Sequence, residues 1–337
     1  MAYWMRRVAA ATLLLAIPVA ITTAGPKASS TPEDGSVLNH PVGQHAWIGA
    51  RGYELNNTDK APAVVYDDIV SVANAGWLRL HFGQDTRLGE GSFIRVTSLR
   101  DGEVQELDAA NYSQWKGTSA YFNGNSLRVE VIAGGLTRNA ISVDTATWEP
   151  IHPDRVGGCG ICGNDDRVPS SDNRFARLMP TGCSATMYNA DSCFVTAGHC
   201  LSSGDVLEFN VPASSNNCST NAPPVADQFP ITGLDGVNGG VGNDYGAIKA
   251  GTNSEGQTPY ERYGAFVNIG SVPSSGNLTV NGYGVDEECV RSQVQQFCEG
   301  PLEDTDSDTL YYDLDVTFGN SGSSILYNGE IVGVVTH

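Results

Sequence analysis

Short runs in which apolar and polar residues alternate recur along this chain, and turn signals separate them. Leu78, Leu80 and Phe82 fall on one face of such a run, and the run at 126–132 repeats the pattern. A period of two residues is typical of β-strands, and no segment shows a long helical period. With 39 glycines and only 17% charged residues, the composition also favours loop-rich β structure. The sequence therefore predicts an all-β protein.

The N-terminus has the pattern of an export signal. Arg6 and Arg7 precede an apolar run at 8–21, and the small residues Thr22 and Ala24 suit a signal peptidase. The alternative is a signal anchor that stays in the membrane, although the run is shorter than the roughly 20 apolar residues of a membrane span. We predict a signal peptide at 1–24 and a secreted, extracellular protein with no membrane span after signal cleavage.

Composition divides the remaining chain into four segments. Residues 25–44 are rich in Ser, Thr, Pro and Gly, which predicts a linker. Residues 45–148 hold several short strand candidates and no cysteine, which predicts a β-sandwich accessory domain. Residues 149–174, with prolines, glycines and two cysteines, are interpreted as a second linker or boundary. Residues 175–337 return to short strands between Gly- and Asn-rich turns.

The segment 45–148 carries no cluster of potential catalytic residues. We interpret it as a folding or spacer module, and a glycan or cell-surface ligand is the alternative partner. Tryptophan in a sandwich more often belongs to the core than to a sugar platform. Four tryptophans would be available for such a platform: Trp47, Trp77, Trp115 and Trp148.

All eight cysteines lie after residue 150. An even number behind an export signal predicts disulfides, although spacing alone does not fix their pairing. Cys159 and Cys162 could instead form half of a zinc site, but no second CxxC or histidine pair lies near them. We therefore predict no metal at this pair.

The formal net charge of −19 repels phosphate backbones, so the sequence predicts no nucleic-acid partner. Carboxylates alternate in the run 303–308, which could hold Ca²⁺. That run lacks the glycine and terminal glutamate of an EF-hand, and we interpret it as a solvated acidic loop.

Three short motifs supply the groups that acyl transfer by serine requires: a hydroxyl, a base and a carboxylate that orients the base. His199 stands in Thr-Ala-Gly-His-Cys after an apolar strand, and Asp244 opens the apolar run 244–249. Ser321 stands in Gly-Asn-Ser-Gly-Ser. Three aspartates in loop-like contexts are the alternatives to Asp244: Asp205, Asp227 and Asp235.

In their order and spacing these motifs resemble those of chymotrypsin-like, or trypsin-like, serine endopeptidases. The resemblance covers about 175–337 and implies a trypsin-like serine protease domain of two six-stranded β-barrels with the site between them. It implies a catalytic triad of His199, Asp244 and Ser321 that hydrolyses peptide bonds of protein or peptide substrates without a cofactor. The segment 45–148 diffusely resembles the jelly-roll-like accessory domains found ahead of some secreted bacterial proteases.

The resemblance also implies how the site is built. Cys183 and Cys200 match the disulfide that closes the histidine loop of the family. The backbone N–H groups of Gly319 and Ser321 match its oxyanion hole, since a glycine without Cβ can turn its N–H toward the substrate carbonyl.

Substrate selection is implied at two places. The run 333–337, with Thr336, resembles the strand that pairs with an extended substrate. Asp315 lies six positions before Ser321, where trypsin carries the carboxylate that selects Lys or Arg. Some glutamyl endopeptidases also carry Asp there, but several of them have a histidine at the position of Val335. We therefore expect a preference for basic residues.

Three departures from trypsin qualify the resemblance. Asn320 replaces the aspartate that pairs with a new N-terminus on activation, which looks more like the bacterial glutamyl-endopeptidase branch. No Arg-Ile-Val-Gly-Gly activation sequence is present, so four arginines near the boundary are the candidates for cleavage: Arg155, Arg167, Arg174 and Arg177. The chain ends before the last strand and helix of the family, so we expect a C-terminally truncated second barrel.

Two other functions compete with a peptidase. A catalytically inactive homologue could act as an adhesin through the N-terminal segment, although the triad residues are intact. A serine esterase of the α/β-hydrolase type needs a GxSxG elbow and the order Ser, Asp, His. The order here is His, Asp, Ser, which argues against that class.

Overall fold

The computed structural model describes residues 20–23, 44–47, 53–150, 161 and 163–336. The predicted linker at 25–44 lies almost wholly outside these residues, as does most of the predicted signal peptide. The possible zinc pair Cys159 and Cys162 also lies outside them. In the part of the chain that is described, no helix has the length and apolar character needed to cross a bilayer.

Strands dominate the described residues, so the prediction of an all-β protein is confirmed. The N-terminal part contains ten of them: β2 (Gln44–Trp47), β3 (Tyr53–Asn56), β4 (Ala63–Ser71), β5 (Ala75–Phe82), β6 (Phe93–Ser98), β7 (Val104–Asp108), β8 (Phe122–Asn123), β9 (Ser126–Ala133), β10 (Arg138–Ile141) and β11 (Val143–Pro150). They are preceded by β1 (Ala20–Thr23), and a short helix α1 (Ala109–Gln114) follows β7.

Two four-stranded antiparallel sheets make up this N-terminal unit, which we define as residues 44–150. One has the order β4-β9-β6-β7 and the other β2-β11-β5-β8, while β3 and β10 form a separate pair. Alternate residues of the strands meet in one hydrophobic cluster that includes Ile94, Leu107 and Val129. This arrangement is compatible with the predicted β-sandwich, whose likeness to jelly rolls stays a prediction.

A closed barrel follows the boundary segment. Its six strands are β13 (Phe175–Met179), β14 (Cys183–Met187), β15 (Cys193–Thr196), β16 (Val206–Glu208), β17 (Gln228–Asn238) and β18 (Asp244–Ala250). They close in the order β13-β14-β15-β18-β17-β16 around a cluster that includes Phe194, Phe209 and Phe229. Every residue of β13 and β14 is buried, because side chains on both faces of these strands are covered.

The last part of the chain forms an open sheet. Its strands are β12 (Val168–Pro169), β19 (Asn277–Gly282), β20 (Gln296–Thr305), β21 (Thr309–Tyr312), β22 (Ser324–Tyr327) and β23 (Glu330–Val334). The order is β1-β21-β20-β19-β22-β23, with β12 beside β20. Strand β1, which falls within the predicted signal peptide, runs parallel to β21. The helix α2 (Pro259–Tyr263) lies between β18 and β19 in sequence.

The N-terminal unit packs directly on the closed barrel. Four barrel-side residues belong to the same hydrophobic cluster as the sheets: Met179, Val206, Ala222 and Val225. On β5, Trp77 donates from Nε1 to Thr220 Oγ1 at 3.0 Å, and Arg79 donates to the carbonyl of Gly204. Trp77 and Arg79 are buried on one face of β5, opposite Leu78 and Leu80. Both faces of β5 are therefore covered.

The loop before β16 holds a buried carboxylate at this contact. Asp205 is 2% exposed and accepts a hydrogen bond from Thr181 Oγ1 at 2.7 Å. Burial raises the pKa of the Asp205 carboxyl to about 6, although the hydroxyls of Thr181 and Ser202 and the charge of Arg79 lower it in part. The native protein therefore keeps this proton at pH values at which the unfolded chain has lost it.

We expect Asp205→Asn to stabilise the protein at pH 7.5 by about 1–3 kcal/mol and to change little at pH 4. The native pKa is above the unfolded value, so the contribution of Asp205 to the stability of the wild type falls as pH rises from about 4 to about 6 and is level above that. Urea unfolding at both pH values measures the difference, with exposed Asp235→Asn as the control. An equal effect of Asp205→Asn at both pH values would contradict this assignment.

Candidate active site

The pairing of β15 with β18 brings His199 next to Asp244. Thr196, at the end of β15, lies opposite Gly246 near the start of β18. The chain then turns through a short 3-10 helix, Gly198–Cys200, that places His199 over Asp244, the first residue of β18. Gly198 has to be glycine here, because a Cβ would overlap the carbonyl oxygen of Val237 and lie 2.8 Å from Asp244 Oδ1.

The Asp244 carboxylate binds His199 through both oxygens. Oδ2 lies 2.6 Å from the imidazole Nδ1, and Oδ1 accepts the backbone N–H of His199 at 2.8 Å. The Asp244 side chain is fully buried, whereas that of His199 is 31% exposed. This geometry fixes the ring with Nδ1 toward the carboxylate, so Nε2 is the ring nitrogen on the side away from it.

Ser321 lies beside the histidine turn. Its carbonyl accepts the N–H of Ser184 at 2.8 Å, and Cys200 Sγ is 3.7 Å from the same oxygen. Cys183, next to Ser184, is joined to Cys200 by a disulfide. One covalent link and one backbone hydrogen bond thus connect the turn of Ser321 with the neighbour of His199.

The two glycines near Ser321, Gly319 and Gly322, have no space for a side chain. Gly322 has φ +85°, and a Cβ there would overlap Thr196 Oγ1 and the carbonyl oxygen of Ser184. Gly319 has φ +95°, and its carbonyl accepts the Ser184 hydroxyl at 2.8 Å. Both glycines adopt the left-handed region that other residues avoid.

Asn320 is held locally. It is buried, and its Oδ1 accepts the backbone N–H of Thr317 at 3.4 Å. Thr317 in turn donates from its hydroxyl to the carbonyl of Val285 and accepts from Arg167. The side chain at position 320 therefore packs against its own turn.

Two residues that stabilise the site were not singled out from the sequence. Ser184 donates from its hydroxyl to Gly319 and accepts the N–H of Tyr283, and Thr196 donates to the carbonyl of Ser184. Their sequence signals are weak: Ser184 follows Cys183, and Thr196 opens the Thr-Ala-Gly-His-Cys motif four positions before Cys200. Serine and threonine are too common for that position to be informative.

The two predicted substrate-binding residues have different surroundings. Asp315 is 3% exposed, and its Oδ2 accepts the N–H of Asp166 at 2.8 Å. Burial and the neighbouring Asp315 raise the pKa of the Asp166 carboxyl. Thr336 follows Val335, whose backbone exchanges hydrogen bonds with Gly322 and Ser323. The run 333–336 thus lies directly alongside Ser321.

The three alternative aspartates lie elsewhere. Asp205 accepts the hydroxyl of Thr181, Asp227 accepts Arg262 Nε at 2.7 Å, and Asp235 is exposed on β17. Of the four candidates, Asp244 is the one that contacts the imidazole ring through a hydrogen bond.

The boundary arginines differ in accessibility. Arg167 is buried and donates to Val285 and Asp165, and Arg177 is buried on β13, where it pairs with Glu208. Arg174 is partly exposed and pairs with Asp172. Cleavage after Arg177 would require β13 to open, so in the folded protein Arg174 is the more accessible of these three.

In the part of the chain that the structure describes, one group of three potential ligand atoms lies within 4.8 Å: Cys183, His199 and Cys200. The two cysteines are joined to each other, so their sulfurs are not available as thiolate ligands. The acidic run 303–308 is largely exposed and spans the end of β20 and the turn to β21.

No family model and no curated protein matches the chain. Among solved structures it is similar to a Glu endopeptidase in complex with MPD, at 22% identity over 52% of this chain and 86% of the other with a TM-score of 0.41. Protease Anisep from Arthrobacter nicotinovorans shows 15% identity over 51% and 86%, with a TM-score of 0.38. Human heparin binding protein shows 12% identity over 51% and 84%, with a TM-score of 0.37. Likenesses this weak say nothing about single residues, and the function is inferred from the site itself.

Proposed function

We propose that this chain is a secreted serine endopeptidase of the chymotrypsin-like type, with His199, Asp244 and Ser321 as its catalytic triad. The observation that carries the proposal is the buried carboxylate of Asp244, which binds both the backbone N–H and Nδ1 of His199. This histidine adjoins a disulfide that also borders the turn of Ser321. The order of the three residues and the Asp244–His199 pair are those that nucleophilic acyl transfer needs, and Ser321 is assigned as the nucleophile from its motif and its place beside the histidine turn.

The proposed reaction begins at the serine hydroxyl. His199 Nε2 takes the proton of Ser321 Oγ while the oxygen attacks the peptide carbonyl, and Asp244 stabilises the imidazolium. The N–H groups of Gly319 and Ser321 receive the charge on the carbonyl oxygen. The C–N bond then breaks as His199 gives the proton to the leaving amine. Water, activated by the same imidazole, hydrolyses the acyl-enzyme and restores the serine.

Substrates of this reaction are extended peptides or proteins. The run 333–336, alongside Ser321, is the strand on which a peptide backbone would be added, and Thr336 belongs to it. Asp315 is the proposed selector of basic residues. Export, inferred from the N-terminal pattern and compatible with two disulfides in the described residues, would place the enzyme outside the cell.

A glycan or cell-surface ligand of the N-terminal unit stays a proposal. Two of the four tryptophans that could form a sugar-binding platform are buried. Trp77 and Trp115 are 1% and 2% exposed and belong to the hydrophobic cluster. They are therefore core residues and not part of an exposed sugar platform.

Labelling with a fluorophosphonate probe tests the proposed function directly. Such probes react with a serine whose hydroxyl is activated by a neighbouring base, so we expect the wild type to be labelled and Ser321→Ala to be unlabelled. Ser203→Ala is the matched control, because Ser203 is an exposed serine in the loop before β16. It should be labelled like the wild type. A folded wild type that takes up no label would indicate an inactive homologue.

A further inference from the structure

The turn at Gly319 packs against a buried glutamine, Gln293, which is 5% exposed. The Gln293 side-chain nitrogen donates to the carbonyl of Tyr283 at 2.6 Å and to that of Gly182 at 3.1 Å. Both carbonyls border Gly319, since a Cβ on Gly319 would lie 2.5 Å from the Tyr283 oxygen and 3.1 Å from the Gly182 oxygen. The same Cβ would overlap the Gln293 nitrogen. The glutamine amide therefore occupies the space beneath Gly319.

The backbone of Gln293 is itself in an uncommon conformation. Its φ of +58° lies in the left-handed region, which a residue with a Cβ seldom adopts. Contacts on both sides hold it there: its N–H donates to Gly284 at 2.8 Å, and its carbonyl accepts Arg177 Nη1 at 2.9 Å. Strained residues of this kind persist where the surroundings fix them, and they concentrate at functional sites.

We infer that Gln293 is a positioning residue of the oxyanion hole. It holds Gly319 so that the N–H of this residue points to the carbonyl oxygen of the substrate. The inference rests on the proposed function, because an oxyanion hole has meaning only if Ser321 is the nucleophile.

The positioning role of Gln293 follows from the two carbonyls that its amide joins. Gly182 precedes Cys183 of the histidine-loop disulfide, and Tyr283 follows β19. By donating to both carbonyls, Gln293 fixes the width of the space in which Gly319 lies. Without these donors the two carbonyls would lose a partner, and Gly319, having no side chain, could rotate its peptide.

Two substitutions test this role. Gln293→Met keeps the length of the side chain but removes both donors, and Gln293→Asn keeps the amide but shortens its reach. Because a small displacement of a catalytic group lowers the rate by up to about 10²-fold, we expect kcat to fall by about 10–100-fold. KM should change by less than about threefold, since the oxyanion forms only in the transition state. The rate of fluorophosphonate labelling should fall in proportion to kcat/KM.

Gln228→Met is the matched control. Gln228 is fully buried and its amide also donates to two carbonyls, those of Tyr121 and Pro223, but it lies at the contact with the N-terminal unit. The Gln228→Met variant should lose about as much in melting temperature as Gln293→Met, while its kcat stays within about twofold of the wild type. Rates are compared at a temperature at which all variants are folded. If Gln293→Met does not fold, the kcat of Gln293→Asn tests the positioning role instead.

The outcomes separate the two claims. A wild-type kcat in the Gln293 variants, or an equal loss of kcat in Gln228→Met, would overturn the positioning role and leave the proposed function intact. Absence of turnover and labelling in the wild type would overturn both.

Discussion

Replacement of His199 by alanine is expected to lower kcat for peptide hydrolysis by about 10⁶-fold, because it removes the proposed base that takes the Ser321 proton. The imidazole is the proposed base, and Asp244 contacts its residue at 2.6 and 2.8 Å. Any rate that remains comes from the oxyanion hole and from substrate binding. Single-turnover and steady-state assays on a chromogenic peptide measure this loss.

His81→Ala is the control for this substitution, because His81 lies in the N-terminal unit and bonds Thr147 Oγ1. Its kcat should stay within about twofold of the wild type. Asp244→Asn should lower kcat by about 10⁴-fold, since an amide favours the wrong imidazole tautomer. If His199→Ala kept more than a hundredth of the wild-type kcat, His199 would not be the base.

Arg177→Leu is expected to lower the free energy of unfolding by about 3–5 kcal/mol. Arg177 and Glu208 are both fully buried, and two guanidinium nitrogens donate to Glu208 Oε2 at 2.9 and 2.7 Å. Burial raises the pKa of the Glu208 carboxyl, and Arg177 lowers it in part. Removal of the arginine would leave this carboxylate buried without its counter-charge. Urea unfolding measures the change.

Arg95→Leu provides the contrast, because Arg95 pairs with Glu106 at a partly exposed position. An exposed pair contributes about 0–1 kcal/mol, so little stability should be lost. Combining Arg177→Leu with Glu208→Leu should recover more than half of the loss, since no buried charge is then unpaired. Equal losses for the single and double variants would show that packing, and not the charge of Glu208, dominates.

Local patterns predicted several strands of the fold. The run with Leu78, Leu80 and Phe82 lies within β5, and the run 126–132 lies within β9. These successes share a cause: alternation and turn chemistry act between residues that are close in sequence.

Contacts between distant segments were not predictable in the same way. Alternation placed Leu78 and Leu80 on one face of β5, but the opposite face is also buried, because the barrel covers Trp77 and Arg79. An arginine in a strand normally indicates an exposed face. The partner of Arg79, the carbonyl of Gly204, lies 125 positions away in the sequence.

In the candidate site, too, local motifs were predictable and contacts between distant segments were not. The motifs around His199, Asp244 and Ser321 could be found because each is short and chemically specific. Gln293 could not, since it lies in no motif and its role depends on Gly182, which is 111 positions earlier. A residue that acts by filling space beneath a glycine leaves no pattern in its own neighbourhood.

Cleavage of a panel of chromogenic peptides tests most directly whether Ser321 hydrolyses peptide bonds. The peptides carry Lys, Arg, Glu, Phe or Ala before the scissile bond. The purified wild type and its Ser321→Ala variant are compared at equal concentration. We predict turnover by the wild type, fastest after Lys or Arg, and none above background for Ser321→Ala. Equal turnover by both proteins, or none by a folded wild type, would contradict the claim.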